Sequence, residues 1–568
     1  MKGLLRLWPV LLLGAVLSWL VIAPLILLAA GAFKPTGLIR DPGFTLENIT
    51  AVYGSGDFWY LVRSTLIFGL GSASLALAAG AALAWMVERT DMPLRRSIRT
   101  LIILQMATPP FLLAVGWIML LSPRTGVLNG LIVSLFGLEG PPFNIYTLTG
   151  MVFVEALSLV PSAFLILAPA MRNMDPSLEE AAAMAGAGNG VIITRITARL
   201  LAPALIGTGL YLFMVSLVVF DIPGTIGMPS RIFVISSHIY ALANDNPRGL
   251  PEFGTIGAIA FFFILVLSIA AMAYQYFMRS SSRFVTMTGK SFRPRRIPLG
   301  RIRPWILMLA IFYFTLTIIL PLAIVLWTSF MPWLRPPSLA ALSAATLANH
   351  KDVFVNPAIV GAALHSLVIA LVAATSVTAL AVTCAYIVMR TRLPGRRILD
   401  WLTFLPLAFP GILLSTALIY VYLSISALPV YGTIAIIMIA YVTTYLSFGT
   451  RSANSVFVQI HPEIEEAAKT SGASIAQIFQ RILLPVAFPA LAAIWFWVFA
   501  HCLRELTQAL MLQGVDNATL PTVLYGYWST GQPNKAAAIG VWMMAIMLAV
   551  TLVWHMIERR TGSGMKNE

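Results

Sequence analysis

Long apolar runs separated by short polar clusters make up almost the whole chain. A helix that crosses a bilayer needs about 20 mostly apolar residues. Runs of that kind lie near 8–32, 61–87, 100–121, 147–171, 200–220, 254–278, 305–329, 359–388, 401–424, 432–450, 486–512 and 537–557. The pattern predicts an all-α membrane protein of about twelve transmembrane helices. The polar clusters between them alternate in character. Basic residues gather at Lys2 and Arg6, at Arg89 to Arg99, throughout Arg279 to Arg303, at Arg390 to Arg397, and at Arg559 and Arg560. The alternate loops carry scattered charges such as Lys34, Arg40, Asp57, Arg231, Asp245 and Lys351. With an even number of spans all the basic clusters fall on one face, which the positive-inside rule makes cytoplasmic, together with both termini. The first apolar run is too long for the core of a signal peptide, so it reads as an uncleaved first span.

Composition agrees: 59% of residues are hydrophobic and only 10% charged, with a mean hydropathy of +0.87. The net charge of +15 flanks the spans and forms no stripe on a soluble face. It therefore points to topology and anionic lipid headgroups, not to nucleic acid. Cys384 and Cys502 both lie inside apolar spans and read as small core residues.

The chain is written twice. Residues 279–304, basic and carrying Pro294, Pro298 and Pro304, separate a first half (1–278) from a second (305–558), with a tail at 559–568. Each half has a long span closed by a basic turn. In the first it is Trp85-Met-Val-Glu-Arg89-Thr-Asp-Met-Pro93-Leu-Arg95-Arg96, in the second Tyr386-Ile-Val-Met-Arg390-Thr-Arg-Leu-Pro394-Gly-Arg396-Arg397. Thr108-Pro109-Pro110 and Ala408-Phe409-Pro410 follow at matching places. Elements repeated in the same order and orientation predict two parallel six-helix repeats.

The sharpest repeat is polar. Pro176-Ser-Leu-Glu-Glu180-Ala-Ala-Ala-Met-Ala-Gly186 and Pro462-Glu-Ile-Glu-Glu466-Ala-Ala-Lys-Thr-Ser-Gly472 stand 286 positions apart, inside loops at about 174–205 and 460–491. Proline suits a first helical turn, the acidic pairs Glu179-Glu180 and Glu465-Glu466 complement its positive end, and alanine favours helix. Glycine then permits a C-terminal turn. Each segment therefore predicts a short helix with a glycine elbow between the fourth and fifth spans of its half, shaped to dock on a separate protein.

Glu-Ala-Ala, three residues, Gly, nine residues, Ile, one residue, Leu-Pro resembles the coupling-loop motif of the inner-membrane permeases of binding-protein-dependent ABC importers. The second copy fits throughout, at Glu466, Ala467, Ala468, Gly472, Ile482, Leu484 and Pro485. The first keeps Glu180, Ala181, Ala182, Gly186 and Ile196 but has Ala198 and Arg199 in place of Leu-Pro, which predicts a weaker exit turn and unequal coupling. The resemblance implies a type I importer permease fold in a bacterial inner membrane and alternating access. It also implies two copies of an ABC ATPase as partner, and a periplasmic solute-binding protein docked on the outer loops near 44–58, 229–251 and 339–357. The chain has no phosphate loop of its own, so ATP and magnesium belong to the partner, and no cofactor or catalytic residue is expected here.

Fused permeases of this length resemble ferric-iron importers, with thiamine, aminoethylphosphonate and polyamine importers as alternatives. The stretches Gly116 to Asn129 and Phe220 to Gly227 carry the iron-type similarity. An ion-coupled secondary transporter is the alternative of another class. Ionisable groups in spans cost about 2.5–3.5 kcal/mol each on insertion scales and commonly face a cavity or a partner. Asp221, at the end of the fifth span, and Arg504-Glu505, at matching depth in the eleventh, are candidates to line a cation pathway, as is Glu155 in the fourth. His365 and His501 have no partner at ligand spacing and read as packing residues, so no metal site is expected.

Overall fold

The computed structural model describes residues 4–38, 40–172, 174, 177–244, 251–281, 297–425 and 427–563. Pro176, Asp245, linker residues 282–296 and tail residues 564–568 lie outside them. Apart from one isolated bridge, the described residues are helices, turns and loops. Among them ten helices are long and apolar enough to cross a membrane, and two bent pairs bring the number to twelve.

The spans expected at 100–121 and 401–424 are bent pairs. Arg95–Gln105 meets Pro110–Leu121 at 98°, and Arg396–Leu407 meets Gly411–Ser424 at 108°. The cause is proline. A proline ring disfavours the α conformation at the residue before it and supplies no N–H to the helix. Pro109 (φ −61°, ψ 137°) and Phe409 (φ −117°, ψ 128°) are accordingly extended at the two corners. The eleventh span also ends earlier than expected. Its helix stops at Arg504, Glu505 is extended, and Thr507–Met511 forms a separate short helix. Loops between spans carry helices too, Glu47–Gly54, Ile235–Asn244 and Ala348–Val355.

Four spans contain a wide π turn: Ser18–Ile22, Ile192–Thr197, Thr315–Ile319 and Phe479–Leu483. Three of these turns end two positions before Pro24, Pro321 and Pro485, whose rings would clash with the carbonyl four residues back in a regular helix.

The compact units do not run with the chain. One comprises residues 54–238 and 262–346, the other residues 1–53, 239–261 and 347–568. Each therefore joins the second to fifth spans of one half to the leading span of the other. In the first unit the span Gly56–Arg89 packs along Leu148–Arg172. A Cβ added to Gly80 would sit 2.4 Å from Ala163 Cβ, so the helices touch where Gly80 lacks a side chain. The leading span Gly300–Ser329 packs on the bent third span at Gly116, against Pro321, and Tyr313 Oη donates to Gln105 Oε1 at 2.7 Å. Gln105 Nε2 in turn donates to the carbonyl of Leu157 at 3.0 Å. The described end of the linker closes on the first basic turn. Ile297 N donates to the Arg89 carbonyl at 2.8 Å and Leu299 N to Asp91 Oδ1 at 2.8 Å.

In the second unit the span Pro357–Arg390 packs along Ile434–Gln459, and a Cβ on Gly449 would lie 3.2 Å from Ala381 Cβ. Gly80 and Ala381, like Ala163 and Gly449, are equivalent repeat positions, so glycine and alanine trade places at the same crossing. The first span packs through Val10 and Leu17 on Leu399, Leu402, Leu446 and Cys384. Cys384 and Cys502 are both buried free thiols.

Candidate functional site: paired motif helices and buried acids

Both repeated segments form the expected helices, Ser177–Met184 and Pro462–Thr470, with proline at the start of the second. Both end the same way. Gly186 and Gly472 adopt φ of +83° and +82°. Ala187 N donates to the Ala182 carbonyl and Ala473 N to the Ala468 carbonyl, at 2.9 and 3.0 Å. This six-to-one bond closes a helix through a left-handed residue that glycine adopts without a Cβ penalty.

The lower halves of the loops also agree. A π turn and then a long helix follow each elbow, Ile192–Thr197 into Ala198–Val218 and Phe479–Leu483 into Leu484–Arg504. The expected weakening of the first exit turn is therefore absent from the backbone. Ala198 and Arg199 continue the helix, as Leu484 and Pro485 do, because a proline in a first helical turn needs no N–H partner. Ile196 and Ile482 are half-buried in both copies, and Pro485 and Arg199 are exposed.

Side chains divide by face. Glu180, Ala181, Gly186, Glu466, Ala467 and Gly472 are exposed, with Ala182 and Ala468 half-buried. Leu178, Met184 and Ile464 add exposed apolar surface, 55%, 89% and 43% accessible. An acidic and apolar face of this kind suits a groove with an apolar floor and a basic rim.

The other acid of each pair turns inward. Glu179 and Glu465 are buried, and each meets the arginine that ends a 34-residue span. Glu179 pairs with Arg89, and Glu465 with Arg390 at 3.3 Å. Glu179 also accepts from Thr197 Oγ1, while Arg390 Nη2 also donates to the carbonyls of Phe457 and Ile460. Sequence reasoning assigned both acids of each pair to the helix dipole and missed this division. The signal available was the identical placing of Arg89 and Arg390 in the two basic turns.

The span acids fall into two clusters, one in each unit. Glu155 is buried in the fourth span, and neither carboxyl oxygen has a hydrogen-bond partner among the described residues. Asp221 follows the end of the fifth-span helix at Val218, where its charge acts on Glu155. In the other unit Glu505 Oε2 accepts from Tyr445 Oη at 3.1 Å, and its backbone carbonyl accepts from Tyr441 Oη at 3.0 Å. Gln508 N donates to Glu505 Oε1 at 3.3 Å. Arg504 contacts His501 Nε2 at 2.9 Å, and that ring stacks on Trp497. Tyr441 stands at the repeat position of Glu155. Each half thus sets a fourth-span polar residue against an acid that follows the fifth span.

His365 Nδ1 lies 3.0 Å from the carbonyl of Ala518. Among the described residues no three His, Cys, Asp or Glu side chains gather as a metal site. Within the stretch Gly116 to Asn129, Asn129 is buried and donates to the carbonyls of Leu121 and Phe143, at 2.9 and 2.8 Å, a bracing role for its own loop.

The model of the family described as "binding-protein-dependent transport system inner membrane component" matches residues 74–283 and 377–563. The ferric transport system permease protein FbpB of Actinobacillus pleuropneumoniae is 25% identical over 521 residues, 90% of this chain and 73% of that protein. The putative ferric transport system permease protein FbpB 1 of Haemophilus influenzae is 27% identical over 421 residues, and the match spans 73% of this chain but only 64% of that relative. The spermidine/putrescine transport system permease protein PotC of Haemophilus influenzae is 26% identical over 211 residues, 37% of this chain and 81% of its own. A solved bacterial ABC transporter involved in alginate import aligns with 50% of this chain and 98% of its own at 23% identity, with a TM-score of 0.40. The family match falls on both repeats and covers most of the chain, so this protein belongs to the inner-membrane components of binding-protein-dependent transport systems, with its two permease halves carried on one polypeptide.

Proposed function

We propose that the chain supplies both permease halves of an ATP-driven importer of ferric iron. It takes its cargo from a periplasmic solute-binding protein and is powered by two copies of a separate ABC ATPase. The observation that carries this reading is the doubled motif helix: the same exposed face, closed by the same left-handed glycine, occurs once in each repeat. The basic clusters set that face, and both termini, on the cytoplasmic side. Glu180, Ala181, Ala182 and Gly186, with Glu466, Ala467, Ala468, Gly472, Ile482 and Pro485, form the ATPase-docking loops. The ATP site, with its magnesium, belongs to the partner.

Iron is supported by relatives named for ferric transport at 25% and 27% identity, and by acids at span depth. In this reading Glu155 with Asp221, and Glu505 with Arg504 beside it, line the path of a cation. The spermidine/putrescine relative supports a polyamine as second reading, since carboxylates suit that cation equally.

The test is co-purification of the ATPase with the full chain, followed by uptake in proteoliposomes supplied with ATP and iron-loaded binding protein. Joint substitution of Glu180 and Glu466 by Ala should abolish ATPase association. Asp221→Asn and Glu505→Gln should lower uptake several-fold while leaving basal ATP hydrolysis intact. Uptake driven by an ion gradient without ATP would overturn the reading in favour of a secondary transporter. Competition by spermidine but not by iron would move the substrate to the polyamines.

A further inference from the structure

We infer that Arg89 with Glu179, and Arg390 with Glu465, are positioning residues that fasten each motif helix to the long second span of its repeat. A push on that helix is then delivered to the spans Gly56–Arg89 and Pro357–Arg390. The inference rests on the docking role proposed above, and adds the route by which docking reaches the membrane.

Four observations converge. First, the pairs recur: the arginine is the last helical residue of a 34-residue span in both halves, and the glutamate lies in the first turn of the motif helix in both. Second, each charge sits at the helix end whose dipole favours it, the cation at a C-terminus and the anion near an N-terminus. Third, the pairs are buried, at 1% and 2% side-chain exposure in the first copy and 10% and 8% in the second. Separating such a pair strands a charge away from water, so the link resists stretching far more than an exposed pair would. Fourth, the opposite end of each motif helix is closed only by its own elbow: Gly186 and Gly472 turn left-handed with nothing within 4 Å of a would-be Cβ, while the buried ion pair ties the N-terminal turn to the long span. Displacement of the helix is therefore passed to that span through the paired end.

Further bonds extend each clamp. In the first copy Glu179 also holds Thr197, at the entrance to the fifth span. The equivalent position in the second copy is Leu483, which has no hydroxyl. In the second copy Arg390 also binds the carbonyls of Phe457 and Ile460, at the end of the tenth span. The first motif helix is thus tied to the second and fifth spans, and the second motif helix to the eighth and tenth.

The experiment uses the assembled complex in proteoliposomes with iron-loaded binding protein, and measures ATPase co-purification, ATP hydrolysis and uptake per ATP hydrolysed. Glu179→Gln and Glu465→Gln should assemble and hydrolyse ATP, with uptake per ATP reduced tenfold or more. Unchanged uptake per ATP in either Gln variant would overturn the inference. If the Gln variants fail to assemble, Glu179→Asp decides. It keeps the charge and withdraws it by one methylene, so reduced uptake per ATP supports the clamp and wild-type coupling refutes it. A wild-type chain that neither captures the ATPase nor transports on ATP would refute the docking role itself, a result distinct from all of these.

Discussion

Gly80 and Ala163 allow a test of how closely the second and fourth spans are packed. Gly80→Ala puts a methyl 2.4 Å from the Ala163 methyl and 3.2 Å from the Phe164 nitrogen and the Val160 carbonyl. Methyl carbons settle near 3.5–4.0 Å, so the helices must part by about 1 Å or more at the crossing. A gap of that size forfeits a quarter to a half of each dispersion contact along the seam, where Ala73, Ala76, Leu83, Ala84, Val160 and Leu167 are buried. Overpacking of this kind costs about 1–3 kcal/mol, and a contact this short belongs at the upper end. Alanine regains about 1 kcal/mol over glycine as a helix former, which leaves a net loss of roughly 2 kcal/mol. The double variant G80A with A163G removes the clash and gives the first half the arrangement of Ala381 and Gly449 in the second. It should recover most of that loss, since a volume-conserving exchange usually costs less than about 1.5 kcal/mol. Denaturant titration of the purified chain in detergent, followed by intrinsic tryptophan fluorescence, reads both numbers. A Gly80→Ala protein as stable as wild type, or a double variant no better than the single, would refute the close packing of these spans.

Gly186→Ala and Gly472→Ala should each cost about 1 kcal/mol, the left-handed penalty for an L-residue, because neither added methyl meets a neighbour. Hydrogen exchange at the amides of Ala187 and Ala473 should rise equally in the two, and a much larger effect in one copy would contradict the matching backbones. Leu94 and Gly395 are equivalent corners, with φ of +57° and +86°. Leu94 is exposed, so Leu94→Asn should stabilise the fold by a few tenths to about 1 kcal/mol, since asparagine tolerates this region better than leucine. Gly395→Leu should destabilise it by about 1–2 kcal/mol, and thermal unfolding midpoints of the two variants should shift in opposite directions.

Much of this protein was legible from its residues. The spans near 61–87 and 359–388, the proline start at Pro462 and the glycine elbows at Gly186 and Gly472 are set by local physics: apolar length, proline geometry and positive φ. The bends at Pro109 and Phe409-Pro410 were written in the same terms, but a hydropathy reading averages across them. The weak exit turn expected from Arg199 did not appear, because a helix entrance accepts arginine as readily as proline. Glu179 and Glu465 look in sequence like twins of Glu180 and Glu466. Only the fold separates a buried clamp from an exposed face, since burial depends on which distant helix arrives beside each residue.

Hydropathy and repeat spacing, being properties of consecutive residues, are enough to give a duplicated bundle of membrane helices with two equivalent polar handles. That the leading span of each half packs with the other half's second to fifth spans emerges only in the folded chain. The same holds for Gly80 facing Ala163 and Arg89 reaching Glu179. Those contacts join residues far apart in the chain, and apolar surface alone does not choose among partners. Close packing and the pairing of buried charge do.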